Sequence, residues 1–369
     1  MYRIFILGAG FSRYAGFPLG NELMKEIIRL LKLDPKGYYG IFKRDLDLYL
    51  EFKRNVHKQD IRPDNVDLED FVTYLDIEHF LGLRGSDTWS SEGNKTQLII
   101  RNCIACCLHN YMQVMTETQW KLYKEFAKKL DPGDYVITFN YDTLVEESLD
   151  KIGKSYRFWY WPPKAPEQDV IIMKLHGSMD WFDISRYKTF ELASGTFHPV
   201  FNNPHIHPEP LFPQCDDNDM KKLYRVRDIH DYIMRKKLTH TSPVMLAPSH
   251  IKIVYTSWVE RLWHGLYKVG ILNPGMAIIG FSLPEHDRYL QQVIYRIVDE
   301  YQNYNPDPER YPKTNIKIID YKPTEEEQKI FRNHYGFVDW ARTDAWFKGF
   351  NEEALNFLFE TCWRTSNES

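Results

Sequence analysis

Four short stretches of this 369-residue chain hold the residue types that chemistry uses. The first is Gly8-Ala9-Gly10-Phe11-Ser12. Glycines let backbone amides approach a pyrophosphate, and the N-terminus of a following helix favours its negative charge. Arg13 stands where a full dinucleotide fingerprint has its third glycine, so a tight structural turn is the competing reading. The second is Phe139-Asn140-Tyr141-Asp142, an amide and a carboxylate beside an aromatic ring. Such side chains face a ligand or cap the next helix, and Asp142 is well placed as an N-cap. The third is Lys174-Leu175-His176-Gly177-Ser178. A histidine followed by glycine has room around its ring, and an ordinary pKa of about 6.5 suits a general base. The fourth is Gly280-Phe281-Ser282, with Asp320 at the end of a later apolar run.

Two other groups compete for attention. His198, His205, His207, Glu209 and Cys215 cluster in a proline-broken polar stretch. In an extended segment His205, His207 and Glu209 would share a face, as a metal site needs. The set lacks a recognised ligand spacing, so a polar loop and no metal is the expectation. Phe158-Trp159-Tyr160-Trp161 could stack on a base. Packing in a core or interface is the stronger reading, because Pro162 and Pro163 bound a short strand.

These stretches need elements to hold them. Tyr2–Leu7, Asp134–Phe139, Asp169–Leu175, Pro243–Leu246, Met276–Gly280 and Ile316–Asp320 read as buried strands. Helical patterns follow at Asn21–Leu33, from Asp142, at Ser257–Lys268 behind a Ser257–Glu260 capping box, and at Pro284–Tyr301. Alternating strands and helices predict an α/β fold: a Rossmann-like parallel sheet with helices on both faces. Its ligands should lie at the carboxyl ends of the strands, where the distinctive residues fall. The sheet domain is expected from residues 1–33, 131–182 and 241–323. A helical insertion is expected at 34–130, an irregular one at 183–240, and a helical segment at 324–369.

Composition narrows the class. Apolar residues make up 43% and charged residues 27%, which suits a globular chain with a substantial core. The net charge of −4 gives no overall pull toward nucleic acid or an anionic membrane. No apolar run is long enough to span a bilayer, and the opening residues enter a glycine turn too early for a signal peptide. The odd set Cys103, Cys106, Cys107, Cys215 and Cys362 argues against a disulfide framework, so a cytoplasmic protein is expected.

Taken together, Gly-Ala-Gly-x-Ser-x-x-x-Gly-x-Pro, Thr-x-Asn-x-Asp, Lys-Leu-His-Gly and Gly-x-Ser-Leu resemble the sirtuin family. The resemblance implies a Rossmann-like NAD+-binding domain. It implies a phosphate loop at Gly8, Ala9 and Gly10 with Phe11 and Ser12, and ribose and nicotinamide contacts from Asn140 and Asp142. It implies a catalytic His176, a later cofactor loop at Gly280 and Ser282, and an adenosine-ribose contact at Asp320. Sirtuin deacylases carry two Cys-x-x-Cys pairs for zinc, whereas the interval 183–240 holds only Cys215. They also carry an Asp-Phe-Arg after the early Gly-x-Pro, where this chain has Leu19-Gly20-Asn21-Glu22.

The pattern therefore resembles the sirtuin-like effector domains of bacterial antiphage systems, which keep the Asn and His, lack the zinc module and hydrolyse NAD+. That implies an NAD+ glycohydrolase acting in abortive infection, with Asn140, His176 and Asp142 as its catalytic residues. An NAD+-dependent protein deacylase and a non-catalytic nucleotide-binding module are the alternatives. The 15% aromatic content and the long insertion suggest a homo-oligomer. A separate activator such as a HerA-type ATPase or an Argonaute is expected, since no sensor domain is evident.

Overall fold

The computed structural model describes residues 2–34, 36–83, 93–159, 168–184, 206–213, 217–218, 220–235, 242–251, 262–263, 266, 273–283, 288–309 and 312–359. The chain divides into two units. One comprises Met1–Phe17, Met115–Leu175 and Val259–Ser369; the other comprises Pro18–Val114 and His176–Trp258.

The first unit is built on a sheet of seven strands. They are β1 (Ile4–Leu7), β2 (Tyr135–Thr138), β3 (Tyr156–Phe158), β4 (Val170–Lys174), β8 (Met276–Ile279), β9 (Ile316–Ile319) and β10 (Thr343–Trp346). Their order is β10-β9-β8-β1-β2-β4-β3, and every pairing is parallel. The sequences Ile-Phe-Ile-Leu, Val-Ile-Ile-Met and Met-Ala-Ile-Ile are apolar without alternation because both faces are covered. Ile4 lies opposite both Tyr135 and Met276, so β1 is central. Strands built before the crossing lie on one side of β1 and later ones on the other. The order reverses there, which is where open α/β sheets place ligands.

Helices flank this sheet. A single turn, α1 (Ala9–Ser12), follows β1. Then α6 (Glu117–Lys129) starts from a Thr116–Gln119 capping box and leads back to β2. It buries Trp120, Tyr123 and Phe126, and the Phe126 ring meets Phe5 at 5.6 Å and Phe11 at 5.2 Å. Next come α7 (Leu144–Ile152), α9 (Arg288–Asn303), α10 (Glu325–His334) and α11 (Glu352–Phe359). Helix α9 buries the stripe Leu290, Ile294, Ile297, Val298 and Tyr301. The fold is the α/β class that alternation indicated.

Several elements differ from the sequence reading. Residues 324–369 contain an edge strand, β10, between two helices. Its Thr-Asp-Ala-Trp sequence lacks the β-branched run that marks a buried strand, because all four residues are half-buried. Pro243–Leu246 forms no sheet strand; Met245 makes an isolated antiparallel bridge to Gly177. Pro243 has no N–H to give a ladder. The helix after the glycine turn is only four residues long. The long helix, α2 (Gly20–Leu33), lies in the second unit.

That second unit holds α2, α3 (Tyr38–His57), α4 (Leu68–Leu81), α5 (Lys95–Gln113) and α8 (Ile229–Arg235). Helix α5 is buried almost all round, including Thr96, Gln97 and Asn102, and is the unit's centre. Cys103, Cys106 and Cys107 lie on it, and burial pushes the last two thiols up to about 12. Three antiparallel strands run in the order β5-β7-β6: β5 (Trp181–Asp183), β6 (Ile206–Pro210) and β7 (Leu223–Val226). They fall in the stretch read as irregular; strands this short, with proline inside β6, give little periodicity. No helix among the described residues is long and apolar enough to cross a membrane.

Candidate functional site

The tips of β1, β2 and β8 form a closed set of contacts. Gly8 is extended, with φ −112°. A Cβ there would lie 2.5 Å from the Gly280 oxygen, and one on Gly10 would lie 2.7 Å from the Gly280 Cα. Gly10 N–H donates to the Gly280 carbonyl at 2.8 Å, and Gly8 N–H to Ile279 at 2.9 Å. The glycines are thus required by the close approach of two loops, whatever the loops bind. Phe11 N–H also turns back to Gly8 O at 3.0 Å. The amides of Gly8, Gly10 and Phe11 are therefore engaged within the protein, which narrows the phosphate cradle expected from sequence. Ala9, between them, is exposed. The Tyr123 hydroxyl on α6 fixes the turn from beneath, donating to Phe11 O at 2.9 Å and accepting from Ala15 N–H at 3.1 Å.

Asn140, at the tip of β2, reaches across to this turn. Its Nδ2 donates to Gly8 O at 2.9 Å and to Ser12 Oγ at 3.3 Å. Ser12 Oγ then donates to Asp142 Oδ2 at 2.8 Å. The chain of donors fixes the amide orientation, because a carbonyl can only accept and a serine that gives its proton to a carboxylate must accept from Asn140. Asn140 Oδ1 makes no hydrogen bond among the described residues, and the residue is half-exposed. Asp142 is buried, with Oδ1 accepting from Leu144 N–H at 3.0 Å. The N-cap of α7 is Thr143, not Asp142. Asp142 accepts from the first amide of α7 from one residue before the N-cap, while its other oxygen holds Ser12.

Lys174 is a contact of this turn to which sequence reasoning gave no role. Its ammonium, wholly buried, donates to Glu146 Oε1 at 2.8 Å and to the Asp142 carbonyl oxygen. Glu146 sits in the first turn of α7. The signal was the lysine at the end of a buried strand, a position that demands a partner.

On the far side of β1, Gly280 has φ +62° and Ser282 is exposed. Phe281 between them stacks on Phe139 at 4.8 Å, and its carbonyl accepts from the Tyr335 hydroxyl at 2.5 Å. Asp320 follows β9 and is 8% exposed. Its Oδ1 accepts from Tyr321 N–H at 2.6 Å and lies 3.5 Å from Lys322 Nζ. Its Oδ2 is buried with no partner among the described residues. Burial pushes this carboxyl above the usual range, with Lys322 opposing.

The chain leaves β4 through Leu175 to His176, where the second segment of the second unit begins. Trp263 Nε1 donates to Leu175 O at 3.0 Å. His176 is buried; its carbonyl accepts from Leu246 N–H at 2.9 Å, and Gly177 takes φ +76°. Beyond it, Ser178 donates to Asp180 at 2.6 Å, and Arg225 Nε donates to the same carboxylate at 2.6 Å.

Of the histidine-rich set, His198, His205 and Cys215 lie outside the described residues. His207 Nδ1 accepts from Glu209 N–H at 3.3 Å. No group of three metal-ligating side chains occurs among the described residues. Tyr160, Trp161, Pro162 and Pro163 also lie outside them, as do the Ser257–Glu260 capping box and Pro284. Trp159 is buried and packs edge-on against Tyr135 at 5.8 Å.

No family model matches the chain, and no curated protein matches it. Among solved structures, it is similar to a sirtuin structure concerned with substrate affinity, at 12% identity and a TM-score of 0.37, over 97% of this chain and 93% of that one. It is similar to Sir2Tm bound to a propionylated peptide, at 11% identity and a TM-score of 0.31, over 97% and 92%. It is also similar to a Sir2 homologue mutant in complex with 2'-O-acetyl ADP ribose, at 10% identity and a TM-score of 0.39, over 97% and 90%.

Proposed function

We propose that the chain binds NAD+ and hydrolyses its nicotinamide–ribose bond, releasing nicotinamide and ADP-ribose. The observation that carries this reading is the Asn140–Ser12–Asp142 relay at the reversal point of a parallel sheet, with Asn140 Oδ1 left to accept from a ligand. Asp320 fits the same nucleotide. Its buried, unpartnered Oδ2 needs a donor, and a ribose hydroxyl supplies one.

In this reading the loop of Gly8, Ala9, Gly10, Phe11 and Ser12, with Gly280 and Ser282, lines the nucleotide. Asp142 Oδ1 and Oδ2 each accept one hydrogen bond from the protein and keep lone pairs for the carboxamide NH2. Asn140 orients the ribose and the attacking water. Water forms a bond to the anomeric carbon as the carbon–nitrogen bond breaks, and nicotinamide leaves with that electron pair. The water's proton passes to a general base, the role that the sirtuin resemblance gives to His176. Positioning and electrostatics supply most of the acceleration. No metal is required.

The reading takes the chain as an antiphage effector acting in the cytoplasm by abortive infection, supported by the resemblance of its motifs to such effectors. An unrestrained NAD+ hydrolase would deplete its host, so the reading includes a homo-oligomer whose activity rises with a separate protein, such as a HerA-type ATPase or an Argonaute. Such a partner would act by binding only the competent conformation. The test incubates the purified chain with NAD+ over a dilution series, with sedimentation in parallel and chromatography of the products. Slow release of nicotinamide and ADP-ribose is expected, at a rate per molecule that rises with assembly or with the partner. Consumption of an acetyl-lysine peptide with O-acetyl-ADP-ribose formation would replace this reading by a deacylase. Bound NAD+ that is never cleaved would leave a nucleotide-binding module.

A second expectation concerns the nucleotide. A 2'-phosphate would set a dianion against the Asp320 carboxylate, so NADP+ is expected to be cleaved about 100-fold less efficiently than NAD+. Asp320→Asn should narrow that gap, chiefly by weakening NAD+. Equal kcat/KM for both nucleotides in the unaltered protein would remove Asp320 from the ribose site.

A further inference from the structure

We propose that Lys174, held by its buried ion pair with Glu146, is a positioning residue that sets the Asn140–Asp142 turn for NAD+ cleavage, an inference that rests on the reading above.

The turn between β2 and α7 has no ladder to hold it. The Asp142 carbonyl lies just ahead of the first residues of α7, outside the pairing of β2. Lys174, the last residue of β4, supplies that carbonyl with a donor from within the sheet. Asp142 is thereby fixed at three atoms: its carbonyl by Lys174, Oδ1 by Leu144 N–H and Oδ2 by Ser12 Oγ. Ser12 is also the acceptor for Asn140 Nδ2. The direction in which Asn140 presents Oδ1 therefore depends, bond by bond, on a lysine that cannot itself reach solvent.

Stability alone gives little reason for such a pair. The Lys174 side chain is 0% exposed and that of Glu146 is 1% exposed. Taking both charges out of water costs much of what their attraction returns, and apolar residues of the same shape often serve as well. An apolar pair would lack one thing, which is a directional donor for the Asp142 carbonyl. Glu146 gives the ammonium a partner in the dry interior and fixes where it points.

The experiment uses the full chain with the double substitution Lys174→Met and Glu146→Met, which removes both charges and keeps the volume. It reads thermal melting, kcat and KM for NAD+, and the Asn140 side-chain amide resonances in asparagine-labelled protein without nucleotide. The expected result is melting within a few degrees of the unaltered protein, a KM changed by less than about threefold, and a kcat lower by about 100-fold, as a misplacement of roughly 1 Å would give. The Asn140 amide protons should lose protection from solvent exchange. A folded double variant with unchanged kcat and unchanged Asn140 resonances overturns the proposal. If the unaltered chain does not cleave NAD+, the functional reading fails, and the resonances alone still decide whether Lys174 positions Asn140. If the double variant does not fold, Glu146→Gln takes its place, keeping the volume and an acceptor for Lys174. It should shift the Asn140 resonances and lower kcat by roughly tenfold. No movement in either, or loss of fold in both variants, would make the pair purely structural and overturn the proposal.

Discussion

Asn140→Ala is expected to lower kcat for NAD+ cleavage by about 100- to 1000-fold while the protein stays folded, because a fixed polar group aimed at the reacting centre is worth that much. The residue is half-exposed at a strand tip, so truncation opens no core cavity. It removes two hydrogen bonds, to Gly8 O and Ser12 Oγ, at a stability cost of roughly 1 kcal/mol each. Asn140→Asp is the sharper companion. A carboxylate cannot donate to the Gly8 carbonyl and would sit one serine away from Asp142, so it should lose the same activity with a larger stability loss. His176→Ala should also abolish cleavage if His176 is the base. His176 is buried, so its variant needs a folding control by circular dichroism. Nicotinamide release is measured under single-turnover conditions on the fully assembled protein. A folded Asn140→Ala protein that releases nicotinamide at near the unaltered rate would show that Asn140 does not orient ribose or water.

The parts of this fold that were legible in sequence are those where one physical demand acts alone. Strands β1, β2, β4, β8 and β9 are mostly apolar, with Lys317 the one break inside β9, because both faces are buried, and that composition has few other uses. Strand β10 and the small sheet were not legible, because edge and short strands are half-buried and their sequences answer to local contacts. The division of the helices between the two units was not legible for a similar reason. Periodicity shows that α2 and α6 each have an apolar face, but it does not show what covers it. Phe126 and Tyr123 commit α6 to the sheet through Phe5 and Phe11, while α2 packs on α5.

The same limit applied at the candidate site. Gly8, Ser12, Asn140 and Asp142 were singled out by type and position, yet the relay joining them depends on pairings across 128 to 132 residues. The glycines illustrate how one residue type can answer a different demand from the one first read. Their role as a phosphate cradle was inferred from permissiveness, the helix that follows and the sirtuin resemblance. The structure adds a packing role, since the β1 and β8 loops touch main chain to main chain. Glu146 and Lys174 stand 28 positions apart and look like ordinary helix and strand-end charges until their burial is known.

The largest stability effect is expected at Gly280→Ala. Gly280 sits at φ +62°, where an L side chain is strained, and its added Cβ would lie 2.2 Å from Phe11 N and 2.3 Å from the Gly10 carbonyl carbon. These neighbours are main chain, so no rotamer change can relieve the clash. Strain at a left-handed position costs on the order of 1–3 kcal/mol, and overpacking adds on the order of 1–3 kcal/mol. The sum, about 2–6 kcal/mol, is a large part of a typical domain's total stability. Relief requires the β8 loop to withdraw from the β1 turn. That would break the Gly10–Gly280 hydrogen bond and disturb the turn that holds Ser12. The matched control is Gly20→Ala, where no heavy atom lies within 4 Å of the added Cβ and the residue opens α2. That substitution should be neutral or stabilising by up to about 1 kcal/mol, since alanine favours helix and narrows the unfolded ensemble. Urea unfolding of both variants measures the difference directly. If Gly280→Ala unfolds at the same urea concentration as the unaltered chain, the close approach of the two loops is not a feature of the folded protein in solution.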